Sequence, residues 1–257
     1  MTNSRWQSSI LEHLRGAGRA SIATLASELN VSGETIRRHV RPLVDDGVLT
    51  RSHGGVAIAA GAEEPPFARR MLAQAATVRA IAGAAAARVR DGATVMIDTG
   101  STTAYVAEAL VLRRNLTVIT NSIEIARRLV GRNGHRVYLA GGEIRPDLSA
   151  VVGPDALAFI GQFRAELAIL SVGAIDATNG YLDFHLDETR IAQAMLIASH
   201  EAMAVADATK FEARAAVPIC DFTAVACLVT DADPPPPVAA RLADAGVEVV
   251  VTAARTA

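Results

Sequence analysis

The chain has 257 residues, 51% hydrophobic and 20% charged, enough for one or two domains with real cores at about 100–200 residues each. A net charge of −2 excludes a global attraction to nucleic acid or an anionic membrane. No apolar run reaches the ~20 residues of a membrane span; the alanine-rich stretch after Arg79 is broken at Arg88. Cys220 and Cys227 are the two cysteines, too few for a disulfide framework. No basic-then-apolar signal stretch opens the sequence, so a cytoplasmic protein is expected.

Charge is uneven along the chain. Residues 1–58 carry seven arginines against five acids, net +2, while the remainder is net −4, which points to nucleic-acid contact through the head alone. Trp6, Ile10, Leu11 and Leu14 fall at helical spacing, and Gly16 and Gly18 stop that helix. Ser21 can cap a second helix with Ile22, Leu25, Ala26 and Leu29 inward, ended by a turn at Asn30-Val31. Ser32 then sits at a cap position with Glu34 in the first turn. The third helix buries Ile36, Val40, Leu43 and Val44, and Gly47 ends it. Pro42 lies inside this helix and predicts a kink or early stop, because proline removes a backbone donor. Two short apolar strands around His53-Gly54-Gly55 make a hairpin.

This order is winged helix-turn-helix anatomy. The third helix would enter the major groove of double-stranded DNA, with Thr35, Arg37, Arg38 and Arg41 outward and Arg51 and His53 on the wing. Arginine suits the task because its planar fork pairs with guanine edges or phosphate. The stretch VSGETIRRHVRPLVDDGVLTRSHGGV, residues 31–56, resembles the DNA-binding head of the DeoR family of bacterial sugar-metabolism repressors. The resemblance is carried by TIRR at 35–38, the Gly47–Arg51 segment and HGG at 53–55, and it adds Ser32 to the DNA-contacting set. The family usually has aspartate after TIRR, where this chain has His39.

Residues 59–66 are small, acidic and proline-rich, as linkers are. A helix is expected over 67–92, ending at Asp91-Gly92. The second domain is taken from 75 to 257, which leaves 59–74 as linker. Beyond it, apolar β-type runs at 94–97, 116–120, 136–140, 166–172, 203–206, 224–229 and 247–252 alternate with helical stretches at 102–112, 122–130, 154–163, 187–200 and 237–245. Near-continuous apolar strands separated by helices predict an α/β, Rossmann-like domain with a parallel sheet covered on both faces.

Ligands of such sheets bind beyond the carboxyl ends of the strands. There the sequence places Asp98-Thr99-Gly100-Ser101-Thr102-Thr103, Asn121-Ser122, Gly141-Gly142, Gly173 and Lys210, which is the one lysine of the chain. The DTGSTT run offers N–H groups and hydroxyls at a helix start, where the dipole favours an anion. The same residue types also serve ordinary turns and caps, and a lone lysine also serves a solvated surface. The histidines are scattered, the cysteines lack zinc-site spacing, and neither a metal nor a cofactor is expected. His185 with Asp183 and Asp187 reads better as a polar loop than as a metal site.

From about residue 75 onward the pattern resembles the DeoR-type sensor domain, which is similar in fold to ribose-5-phosphate isomerase and glucosamine-6-phosphate deaminase. The resemblance implies a phosphorylated sugar or polyol effector on DTGSTT, with Asp98, Asn121, Gly141, Glu188 and Lys210 around it. Helix-turn-helix proteins usually dimerise on two-fold operators, so a homo-dimer or homo-tetramer is expected. An isomerase would need the acids of a DGADE-type stretch, where this chain has Val172-Gly173-Ala174-Ile175-Asp176. Val172 and Ile175 cannot move a proton, so binding without catalysis is expected. An active sugar-phosphate isomerase or deaminase, and a regulator with a vestigial cleft controlled by a partner protein, are the alternatives.

Overall fold

The computed structural model describes residues 6–7, 9–11, 13–14, 19–45, 49–52, 55–58, 67–72 and 75–252. The chain divides into two compact units, Met1–Pro65 and Pro66–Ala257.

In the first unit, helical backbone at residues 6–7, 9–11 and 13–14 is followed by strand β1 (Arg19–Ala20), helices α1 (Ile22–Glu28) and α2 (Gly33–Asp45), and strands β2 (Leu49–Ser52) and β3 (Gly55–Ile58). Ser21 caps α1 by accepting from the Thr24 N–H at 2.9 Å. Asn30, at φ 53°, makes the turn between the helices, a conformation asparagine tolerates better than most residues. Ile10, Leu14, Leu25, Ile36, Val40, Leu43, Leu49 and Val56 close the core. The wing has three strands in the order β1-β3-β2; β1, two residues long, was not visible as a run. A Cβ at Gly55 would stand 2.2 Å from the Ala20 carbonyl oxygen, so the close approach of β1 requires glycine there.

Of the two outcomes expected at Pro42, the early stop does not occur. Helix α2 does not stop at Pro42 but runs on to Asp45. Pro42 is exposed, whereas Val40 and Leu43 on either side are buried. Their burial holds the last turn against the loss of one backbone hydrogen bond.

The second unit begins with α3 (Phe67–Arg70) and α4 (Ala75–Ala87), so the single helix expected over 67–92 is two helices, the second ending well before Asp91. The order then runs β4 (Thr94–Ile97), α5 (Ser101–Leu110), β5 (Thr117–Thr120), α6 (Ile123–Leu129), β6 (Arg136–Leu139), β7 (Glu143–Arg145), β8 (Ala150–Val152), α7 (Pro154–Ile160) and β9 (Ala165–Ser171). It closes with β10 (Ala174–Asp176), β11 (Gly180–Asp183), α8 (Leu186–Ile197), β12 (Ser199–Val205), β13 (Val217–Cys220), β14 (Cys227–Thr230), α9 (Pro236–Asp244) and β15 (Glu248–Val251). A seven-stranded sheet, ordered β15-β14-β12-β9-β4-β5-β6, is parallel throughout.

Side-chain alternation along the strands separates two cores. Val95, Ile97, Val118 and Ile169 pack under α4, α5 and α6; Met96, Ile119, Ala168 and Leu170 pack under α7, α8 and α9. This is the doubly covered parallel sheet that the apolar runs predict. A three-stranded antiparallel sheet, β10-β11-β13, and a β7-β8 hairpin were not expected. Helix α8 also ends at Ile197, and β12 starts four residues earlier than its apolar run. Among the described residues no helix is long and apolar enough to cross a membrane.

Candidate functional site

The sheet order reverses between β4 and β9: β5 and β6 extend one way from β4, while β12, β14 and β15 extend the other way from β9. Such a reversal opens a crevice at the carboxyl ends of the two strands. Asp98-Thr99-Gly100 stands there. The Asp98 N–H donates to the Ile169 carbonyl at 3.2 Å, and its Oδ1 accepts from the Ser171 N–H at 2.9 Å. A Cβ at Gly100 would meet the Ser171 Cβ at 2.4 Å and its Oγ at 2.5 Å, so the loop lies directly on the end of β9 because residue 100 has no side chain.

Gly100 starts α5 without a side-chain cap, and no acid occupies the first turn. The first backbone bond of the helix is Ala104 N–H to the Gly100 carbonyl, which leaves the N–H groups of Ser101, Thr102 and Thr103 outside the helical ladder. The α6, α7, α8 and α9 starts are all occupied otherwise. Ser122 caps α6, Pro154 and Asp155 open α7, Asp187 and Glu188 lie in the first turn of α8, and prolines open α9. Thr102 and Thr103 are buried, with the Thr103 hydroxyl donating to the Gly100 carbonyl at 3.1 Å; Ser101 is half-buried.

The β7-β8 hairpin forms one wall. The Thr99 hydroxyl donates to the Leu148 carbonyl at 3.2 Å. Asn121, fully buried, donates from Nδ2 to the Val151 carbonyl at 3.1 Å, while its Oδ1 is buried and makes no hydrogen bond. Ser122 is committed to its cap, accepting from the Ile125 N–H at 3.4 Å. Gly142, at φ +137° and with the Val152 carbonyl 3.0 Å from where a Cβ would be, shapes the neighbouring turn.

Acids adjoin the hairpin, where Arg145 of β7 stands 3.9 Å from Asp187 at the start of α8. A Cβ at Gly173 would lie 2.8 Å from the Phe184 ring. Asp183 Oδ1 accepts from the Phe184 N–H at 2.6 Å, and Glu188 is buried in the first turn of α8. Burial raises the Asp98 carboxyl well above the usual range; the Ser171 N–H opposes this, the Asp183 and Glu188 charges add to it, and Arg70 opposes it. Asp98 therefore feels the charges of Asp183, Glu188 and Arg70.

Two of the expected residues follow strands further out in the sheet. Gly141 follows β6 and Lys210 lies in a 3₁₀ turn, Ala208–Phe211, after β12. Each is two strands from β4, or about 10 Å at the usual strand spacing. Gly141 is exposed and Lys210 half-buried. Val172 and Ile175 lie in the core. Among the described residues no group of His, Cys, Asp and Glu has metal-binding geometry, and burial pushes the Cys220 thiol up to about 12, so it supplies no thiolate. Sequence reasoning missed Ser171 and Arg70 as neighbours of the loop. Asp183 had a signal in its sequence, an acid in an otherwise apolar strand.

In the first unit, Ser32 caps α2: its Oγ accepts from the Thr35 N–H at 3.2 Å and lies 2.9 Å from the Thr35 hydroxyl. Arg37, Arg38 and Arg41 share the exposed side of the helix, with Arg37 and Glu34 3.3 Å apart. Arg51 is exposed on β2; His53 lies outside the described residues. His39 is 3% exposed, and burial together with Arg38 lowers its pKa. It therefore belongs to the inner side of the recognition helix rather than to its outward face.

A family model described as the DeoR C terminal sensor domain matches residues 73–232, and one described as the DeoR-like helix-turn-helix domain matches residues 7–61. The chain belongs to the DeoR family. Curated DeoR-type relatives cover it almost end to end. The HTH-type transcriptional repressor CsqR of Escherichia coli is 36% identical over 91% of this chain and 90% of its own. The Glycerol-3-phosphate regulon repressor of the same organism is 33% identical over 95% and 97%, and the Transcriptional repressor AccR of Agrobacterium fabrum 34% over 88% and 88%. A solved ribose 5-phosphate isomerase from Methanocaldococcus jannaschii aligns with 52% of this chain and 53% of its own at 15% identity and a TM-score of 0.38, too remote to bear on function. As a DeoR protein the chain is a DNA-binding transcriptional regulator and not an enzyme.

Proposed function

We propose that the chain represses a carbohydrate or polyol catabolic operon. Thr35, Arg37, Arg38 and Arg41 would read the operator, with Arg51 and His53 on the backbone and Ser32 holding the helix start. A phosphorylated sugar or polyol would bind the second unit and change the DNA affinity of the first. The observation that carries the effector reading is the open start of α5 at the strand-order reversal: three N–H groups, no cap, no acid. Asp98, Asn121 and Glu188 supply oxygen acceptors for hydroxyl groups beside it. Gly173 lets Phe184 pack close, Gly141 and Gly142 turn the chain past the hairpin, and Lys210 adds a cation at the rim. Operators of helix-turn-helix proteins mirror a protein two-fold, and the half-exposed Tyr138 and Leu139 on edge strand β6, with exposed Ile144, support self-association in the cytoplasm.

The test is selection of binding sites from a random duplex pool, followed by gel shifts of the recovered site with a panel of sugar and polyol phosphates. A two-fold consensus whose complex with the wild type, but not with Ser101→Glu, responds to a phosphate ester is the expected result. A consensus that no phosphate ester releases from the wild type would sink the effector assignment.

A further inference from the structure

Chain leaving the winged unit through residues 59–66 re-enters described structure at α3, and the segment from Phe67 to Leu72 is fastened to the anion loop's surroundings at two points. The buried Phe67 donates its N–H to the Asp147 carbonyl at 2.9 Å. Asp147 precedes Leu148, whose carbonyl accepts from Thr99. At the other end, the Met71 carbonyl accepts from the Tyr105 hydroxyl at 2.7 Å, and Tyr105 lies on α5, the helix that starts at Gly100.

Arg70 lies between these two fasteners. Its guanidinium carbon is 5.8 Å from the Phe67 ring centroid, its Nε and Nη2 are buried, and its charge reaches Asp98. A half-buried cation whose charge reaches Asp98, in a segment fastened both to the hairpin and to α5, has two uses. It balances the acids, and it supplies the planar fork that grips a phosphate with paired hydrogen bonds. An anion set among Asp98, Asp183 and Glu188 without a cation would meet net repulsion.

We propose that Arg70 is an effector-binding residue, its guanidinium completing the site for the anion held by the N–H groups of Ser101–Thr103, so that the segment attaching the DNA-reading unit is itself part of the effector site. The proposal rests on the anion reading of that loop. It specifies the effector as a phosphate monoester, since a neutral sugar would gain little from a guanidinium. It also gives the coupling a physical basis: a ligand shifts a conformational equilibrium only through contacts it makes better in one state, and contact with Arg70 acts on the tether itself.

Inorganic phosphate is the probe. It is titrated by calorimetry into the full-length wild type, Arg70→Met, Arg70→Lys and Ser101→Glu, with melting temperature and amide exchange of residues 67–72 followed alongside. The expected result is a loss of phosphate affinity in R70M of roughly 10- to 100-fold, the range for a hydrogen-bonded charged group, with partial recovery in R70K. Exchange protection of 67–72 rises on phosphate addition in the wild type and not in R70M. Wild-type affinity in R70M with loss in S101E would overturn the Arg70 proposal and leave the loop reading standing. A fall in melting temperature in R70M that R70K restores, at unchanged phosphate affinity, would make Arg70 a structural counter-charge and overturn it equally. No uptake by the wild type would overturn both readings.

Discussion

Two helices of this chain begin in opposite ways. Recognition helix α2 starts fully furnished: Ser32 caps it, Glu34 sits in its first turn, and arginines line its exposed side. Helix α5 starts bare, on a glycine pressed against Ser171, with no cap and no acid. On the function proposed above, the contrast is between two ways of meeting phosphate. A nucleic acid offers many phosphates at variable positions, and long arginines on a stable helix adapt to them at the cost of salt sensitivity. A small effector offers one, and fixed backbone N–H groups in a buried loop can be prearranged for it.

The contrast is broken most severely at its cationic end. Arg37→Ala with Arg38→Ala should lose roughly 2–6 kcal/mol of operator affinity and flatten the salt dependence by roughly one to two units of log–log slope. The melting temperature should stay near wild type, because both side chains are exposed. Gel shifts across a salt series decide it, and unchanged affinity would move the DNA contact off α2.

Next in size is the bare start itself. Gly100→Ala places a methyl group on Ser171, and overpacking of this kind costs about 1–3 kcal/mol. Denaturant melts should show that loss together with loss of the effector response, and adding Ser171→Gly should recover much of both. If the double variant is no better than the single one, the close approach is not what shapes the loop.

Asp98 sharpens the comparison through pH. Its folded-state pKa is raised, chiefly by burial, so the protonated form is favoured by folding. The associated stability is fully present below the ordinary carboxylate pKa and is lost as pH rises through the raised value. Asp98→Asn keeps an oxygen acceptor for the Ser171 N–H and should remove that decline, so its melting temperature should exceed wild type progressively toward neutral pH. Parallel curves for the two proteins between pH 4 and 8 would refute the burial argument. The smallest effects come from the caps: Ser32→Ala should cost about 1 kcal/mol, whereas Ser101→Ala, at the bare start, should change stability by no more than about 0.5 kcal/mol.

Much of this was legible in local chemistry. The cap serines 21 and 32, the turn at Asn30 and the inward positions of α2 follow from residue type and spacing, because caps and amphipathic faces are settled within one or two helical turns. The seven strands of the parallel sheet announced themselves as apolar runs; both faces of its inner strands are buried, while β6 and β15 stand at the edges. Pro42 did not stop α2, because burial of Val40 and Leu43 outweighs one missing backbone bond. His39 could not be placed, since a single residue on a helix shows no period of its own.

What the sequence by itself determined, then, was the longer local elements of both domains, and it singled out one loop suited to an anion. Only the tertiary structure decided what surrounds that loop. The three-residue strands β7, β8 and β10 are too short to show a period, and they exist because distant partners pair with them. Asp183 reaches Asp98 across 85 positions of chain, and Arg70 comes from a segment whose own composition says only that it follows a linker. Sheet order, rather than any motif, places the reversal between β4 and β9, because hydrogen bonding between strands distant in sequence is a property of the folded chain and not of the segments that enter it.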